Sequence, residues 1–141
     1  MTTSMTPEER RELFGDHDPE QYAEEVEQRW GGTDAYRQSH DRTSGYTKGD
    51  WEAIKAEAGA ISTRFAELHR EGAAPDSTAA MDLAEEHRAH ITRRFYDCSL
   101  EIHQGLGDMY VNDPRFAANY ESVAPGLAQY IRDAIHANAA R

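Results

Sequence analysis

Cysteine is almost absent from this sequence. Cys98 stands alone among 141 residues, which excludes an internal disulfide framework and any zinc site built from several thiolates. Basic side chains are also scarce, with 15 Lys and Arg against 26 Asp and Glu for a formal charge of -11. A surface so acidic repels phosphate backbones and anionic headgroups, so neither nucleic-acid binding by this chain alone nor membrane binding is expected. No apolar run is long enough to span a bilayer, and the opening MTTSMTPEERRELFGDHD lacks the basic start and apolar middle of a signal peptide. A soluble, cytoplasmic protein is the expectation. No segment sustains the period-two alternation of a strand. The Gly-x-Ser-x-Gly elbow, the glycine-rich phosphate loop and the nucleotide fingerprint are all missing, so nothing points to an enzyme.

What is present is helix punctuation. Thr6-Pro7-Glu8-Glu9 sets an N-cap oxygen, a proline at the first helical position and an acid at the third, each complementary to free amides. Asp18-Pro19 repeats the signal ahead of Tyr22, Val26 and Trp30, four apart, and Gly31-Gly32 ends that segment. Thr33-Asp34 caps a third short helix carrying Tyr36. From Thr47, the residues Trp51, Ile54, Ala58, Ile61, Phe65 and Leu68 recur in steps of three and four, the stripe of a long amphipathic helix closed by Gly72 and Pro75. Asp76 or Ser77 caps the next, which runs through Met81, Ala84, Arg88, Ile91 and Phe95. Asp97 marks a cap or bend, and Leu100 or Ile102, Leu106, Met109 and Tyr110 form the following apolar face. Asn112-Asp113-Pro114 separates it from a short segment with Phe116, Tyr120 and Val123. Pro125 opens a last helix that buries Leu127, Tyr130, Ile131, Ala134 and Ile135.

The two parts of the chain differ in what they can bury. Residues 1–50 hold two branched aliphatics, Leu13 and Val26, whereas residues 51–141 hold thirteen Ile, Leu or Val. The second part owns the core. The first relies on Phe14, Tyr22, Trp30, Tyr36 and Tyr46, rings suited to partly wet contacts, and with so few aliphatics it gains little by folding alone. Either a second surface orders it, or its rings pack on the core as an ordinary N-terminal extension.

Three groups of residues invite a chemical reading. His87 and His90, three apart on one helix, with Glu86 and His103, suggest metal or haem ligation, but no repeated Glu-x-x-His or His-Glu-x-x-His pattern accompanies them. Solvated or hydrogen-bonded histidines fit better. Cys98 lies beside Asp97 and five residues before His103, a spacing that does not converge on a helix, so a small buried hydrophobe is expected there rather than a nucleophile. The third group is a concentration of polar-tipped rings: Phe95, Tyr96, Tyr110, Phe116, Tyr120 and Tyr130 late in the chain, Trp30 and Tyr36 early. Taken alone, most such rings are core filler; the alternative is that their faces stack on planar heteroaromatic ligands while hydroxyls and imidazoles fix orientation.

The segments FGDHDPEQYAEEVEQRWGGTDAYRQS, YTKGDWEAI, DLAEEHRAHITRRFYDCSLEIHQGLGDMYVNDPRF and PGLAQYIRDAIHANA closely resemble the TipA-type antibiotic-recognition domain, TipAS, over about Thr6 to Ala139. The resemblance implies an all-α, globin-like bundle of about five core helices in residues 51–141, with an N-terminal helical lid in residues 1–50 that orders on ligand. It implies a monomer without cofactor or metal that captures thiopeptide-like or other bulky heterocyclic antibiotics without turnover, for sensing or sequestration. A small histidine-ligated metal or haem protein is the alternative. Trp30 and Tyr36 from the lid, and His87, Ile91, Tyr96, His103 and Tyr110 from the core, are the expected ligand-binding residues. Longer members of the family carry a DNA-binding part ahead of this domain. The chain therefore reads as the drug-binding module alone. Where the family's thiol adds to a dehydroalanine of the drug, this chain has Gly105, and Cys98 matches the non-attaching cysteine. Cys98 is thus a candidate reactive thiol only in second place, and reversible binding is expected.

Overall fold

The computed structural model describes residues 33–141, which form six α-helices and no strand. They are α1 (Asp34–Thr43), α2 (Lys48–Arg70), α3 (Thr78–Arg94), α4 (Leu100–Asn112), α5 (Pro114–Glu121) and α6 (Leu127–Ala140). The helices expected after Thr6 and Asp18 lie outside the described residues. No described helix is long and apolar enough to cross a membrane.

Side-chain caps set most of the boundaries. Thr33 accepts from the Tyr36 amide at 3.1 Å. Thr47 and Asp50 cap α2 reciprocally, the Asp50 amide donating to Thr47 Oγ1 at 3.2 Å and the Thr47 amide to Asp50 Oδ2 at 2.9 Å. Ser77, rather than Asp76, accepts from the Ala80 amide at 3.2 Å. The bend after α3 is closed by Ser99 and not Asp97, since Ser99 Oγ accepts from the Ile102 amide, while the Asp97 amide donates to Gln38 Oε1. Asp113 caps α5, with Pro114 at its first position. The last helix begins at Leu127, two residues after the expected Pro125. Gly126 takes φ +81 there, and a Cβ at that position would approach His69 Nε2 to 3.2 Å.

The chain divides into two compact units. Among the described residues, the first comprises 33–57 and 91–97. Its core is small and aromatic: Trp51 and Ile54 are buried with Tyr46 and Phe95 packed against them, the Trp51 ring lying 5.6 Å edge-on to Tyr46 and 6.1 Å from Phe95. Polar ties do much of the rest. Arg42 donates to the Thr92 carbonyl, Tyr46 to the Arg94 carbonyl, and Arg94 pairs with Glu57 through bonds of 3.0 and 2.8 Å.

The second unit, residues 58–90 and 98–141, is built on aliphatic burial. Ile61, Phe65, Leu83, Leu127, Ile131 and Ile135 belong to one cluster with Tyr110 and Tyr130. Phe65, Ile131 and Ile135 are at most 1% exposed. Helices α4 and α6 pack against each other, and Gly107 is where they close, since a Cβ there would already touch Ile135 Cδ1 at 3.4 Å and the Arg132 backbone at 3.5 Å. Asp108 on α4 holds the pair in register by accepting from Arg132 Nε at 3.0 Å and bonding His136 Nε2 at 2.8 Å. The α4 face differs from the expected one: Leu100 and Ile102 point outward, 40% and 38% exposed, and His103 occupies the buried seat.

Candidate ligand-binding site

Within the second unit, α3, α4 and α5 bring a set of rings together. His87 projects from α3, His103 and Tyr110 from α4, and Phe116 and Tyr120 from α5. The Asp113-Pro114 junction restarts the helix two residues after α4 ends, and the four-residue spacing of Phe116 and Tyr120 then sets both rings beside Tyr110. Tyr110 lies 5.1 Å from Tyr120, 5.9 Å from Phe116 and 6.1 Å, edge-on, from His87. His87 Nδ1 and His103 Nε2 are 2.8 Å apart, a hydrogen bond joining α3 to α4. Phe116 is 37% exposed, and Val123, just past α5, 52%.

The cluster is electrically neutral at pH 7. Burial, then the neighbouring rings of His103 and His90, hold His87 down at about 3. Burial and the Arg88 guanidinium likewise hold His103 at about 4, opposed by Glu85. Burial pushes the Tyr120 hydroxyl up to about 12, partly offset by its hydrogen bond with Tyr110. A cluster of rings with polar tips, exposed to solvent at Phe116, suits a neutral aromatic ligand better than a free ion.

Beside the rings runs a polar clamp. Arg88 donates to the Cys98 carbonyl at 2.7 Å and to Glu85 at 2.9 Å, and Asn138 Nδ2 donates to Glu85 at 3.1 Å. It fixes the chain at Cys98, which is 2% exposed. Burial raises the Cys98 thiol to about 11, with Arg88 lowering and Glu85 raising it. A thiol that is both covered and held protonated is a poor nucleophile. Gly105 is different: it lies on the exposed side of α4, and a Cβ there meets nothing within 4 Å. Among the described residues no three His, Cys, Asp or Glu side chains gather to hold a metal ion.

Of the expected ligand-binding residues, His87, His103 and Tyr110 converge in this unit. Tyr36, Ile91 and Tyr96 belong to the other. There Tyr36 stacks on His40 with centroids 6.2 Å apart, Ile91 is a buried packing residue, and Tyr96 sits half-buried in the bend after α3. Trp30 lies outside the described residues. Phe116 and Tyr120 were not singled out as ligand contacts, although the proline restart and their spacing were legible signals.

The sequence profile of the TipAS antibiotic-recognition domain matches residues 22–138. The chain belongs to that family. It is 55% identical over its whole length to the HTH-type transcriptional activator TipA of Streptomyces coelicolor, of which it spans 56%. Among solved structures, TipAS from Streptomyces lividans in complex with nosiheptide, described as part of a thiopeptide antibiotic multidrug resistance system, superposes with a TM-score of 0.90 at 55% identity, covering 99% of this chain and 97% of that one. The antibiotic-binding domain of a TipA-class multidrug resistance transcriptional regulator superposes at 0.60 with 50% identity, over 64% of this chain and 97% of that one. The all-helical TipAS fold is thereby established for the chain.

Proposed function

We propose that this TipAS domain is a non-catalytic, cytoplasmic binding protein, a monomer without cofactor, that captures thiopeptide-like or similarly bulky heterocyclic antibiotics and so senses or sequesters them. The observation that carries the reading is the neutral ring cluster of His87, His103, Tyr110, Phe116 and Tyr120, in a chain 55% identical to a TipAS solved with nosiheptide. Tyr36, Ile91, Tyr96 and Trp30 are further ligand contacts in this reading, and residues 1–50 are a segment that gains order when drug binds. Calorimetry against nosiheptide and a panel of heterocyclic drugs tests it, with recovered ligand weighed by mass spectrometry. Affinities better than about 100 μM with unaltered drug are expected, and weaker binding across the panel, short of about -5.5 kcal/mol, overturns it.

Capture is reversible in this proposal, because the covered, protonated thiol of Cys98 does not present a thiolate to a dehydroalanine. Intact mass after incubation with nosiheptide should show the unmodified chain. Gly105→Cys, which places a thiol on open helix surface, should give a stable adduct. An adduct on the parent that vanishes in Cys98→Ser overturns this.

A further inference from the structure

We propose that His87 meets the ligand as a hydrogen-bond donor through its Nε2–H, and that His103 is the positioning residue that enforces this by fixing where the protons of the pair sit. The ligand's identity rests on the thiopeptide reading; the donor rests on the geometry of the two rings.

One proton lies between His87 Nδ1 and His103 Nε2, 2.8 Å apart, and it belongs to one ring or the other. If His87 Nδ1 carries it, neutral His103 must carry its own proton on Nδ1, and neutral His87 offers only a lone pair at Nε2. That arrangement buries an N–H with nothing to receive it. His103 is fully buried, and its Nδ1 finds no hydrogen-bond partner, whereas orphaned N–H groups in protein interiors are rare and costly. If instead His103 Nε2 carries the proton and donates it to His87 Nδ1, the orphan at His103 Nδ1 is a bare lone pair and His87 is protonated at Nε2.

Two further facts favour this second arrangement. Both rings then adopt the Nε2–H tautomer that a neutral histidine side chain intrinsically prefers, while the first arrangement forces both into the other. The charged neighbours of the pair are Arg88 and Glu85, the guanidinium acting more strongly on His103, and a cation nearby favours a lone pair over another proton at Nδ1. His90 and Tyr110 are the remaining titratable neighbours, and His90 acts on His87 in the same direction as burial does. With both rings held neutral, the pair neither gains nor loses charge when a ligand arrives.

His87 is only half-buried, and its Nε2 makes no hydrogen bond to any described residue, so this donor is free to be used. It selects for a neutral, in-plane acceptor, an azole nitrogen or an amide carbonyl, on a ligand whose flat part packs against Tyr110 beside it. A group that can only donate is rejected, because it would face an N–H.

Nitrogen-15 NMR of the free protein tests the tautomers without any ligand. Nε2 protonation of both rings, with a coupling across the hydrogen bond that places the shared proton on His103, is expected; Nδ1 protonation of either ring overturns the proposal. Nosiheptide calorimetry tests the use of the donor. His87→Phe and His103→Phe should each bind about tenfold more weakly. His87→Gln and His103→Gln, whose amide N–H groups stand near the lost Nε2–H, should stay within about threefold of the parent, thermal unfolding confirming that all four fold. Equal affinity of the parent and His87→Phe overturns the donor alone. Failure of the parent to bind any drug of the panel overturns the functional reading and the ligand half of this proposal together, leaving the tautomer result standing.

Discussion

The two units of this domain are held together by different physics. In the second, Phe65, Leu127, Ile131 and Ile135 are sealed from water by each other, and stability scales with apolar area removed from solvent. Among the described residues of the first, the buried apolar side chains are Trp51, Ile54 and Ile91, and α1 is tied down by side chains reaching the end of α3: Arg42 to the Thr92 carbonyl and Gln38 to the Asp97 amide. Polar ties of this kind exchange readily with water and contribute modestly. Stability should accordingly be uneven, with the second unit opening only globally and the first able to loosen at much smaller cost.

The largest effect expected from this contrast is at Phe65. Phe65→Ala should lower the free energy of unfolding by about 3–5 kcal/mol, read from denaturant midpoints, and a loss below about 1 kcal/mol would break the claim that burial dominates there.

Acid should act next in size. Because burial holds His87 and His103 well below their ordinary 6.5, the unfolded chain takes up protons that the folded chain refuses. The stability due to these rings is therefore complete above about pH 6.5 and declines as the pH falls towards 4. Between pH 7 and 5 the loss should be about 2 kcal/mol for each ring, with amides of α4 the first in the second unit to lose protection. Glu85 and Asp108 are held below their ordinary values by Arg88 and His136 respectively; their contribution persists until the pH falls below about 4, a separate window. An unfolding temperature that is flat from pH 7 to 5 would contradict the buried pair.

The smallest effect sharpens the comparison most. Arg42→Ala removes a tie of the first unit and should cost about 1 kcal/mol locally. Hydrogen exchange of residues 34–43 should speed up about fivefold while residues 127–140 keep their protection. Equal acceleration in both segments would show that the units open as one.

Much of the architecture was legible because it is written locally. Caps at Thr33, Thr47, Ser77 and Asp113, and the apolar steps from Trp51 to Leu68, need only neighbouring residues to be recognised. The misplacements have a common cause in partners distant along the chain. Leu100 and Ile102 look like core residues by hydropathy, yet His103 takes the buried position, because it hydrogen-bonds a ring sixteen residues away on α3, which lowers the cost of covering an imidazole. Asp97 looks like a cap, but its amide is engaged by Gln38, 59 residues earlier, and Ser99 does the capping. Tyr110 and His87 could be named from ring chemistry, whereas Tyr120 and Phe116 gain their role only when α5 folds back beside Tyr110. Gly126 delays the last helix through a backbone angle that the proline before it does not announce.

The placement of α6 has a consequence for how the protein comes into being. Leu127, Ile131, Ala134 and Ile135, each at most 1% exposed, are made after every other helix of the unit, and the contacts that close the unit span long stretches of chain: Tyr130 donates to the Ala73 carbonyl 57 residues earlier, and His69 bonds the Pro125 carbonyl across 56. A ribosome can therefore release α2 through α5 into solution before the surface they must cover has emerged. Closure of the second unit then waits for α6 and its long-range contacts, and a chain interrupted before Leu127 would leave the apolar faces of α2 and α4 open to chaperones and proteases.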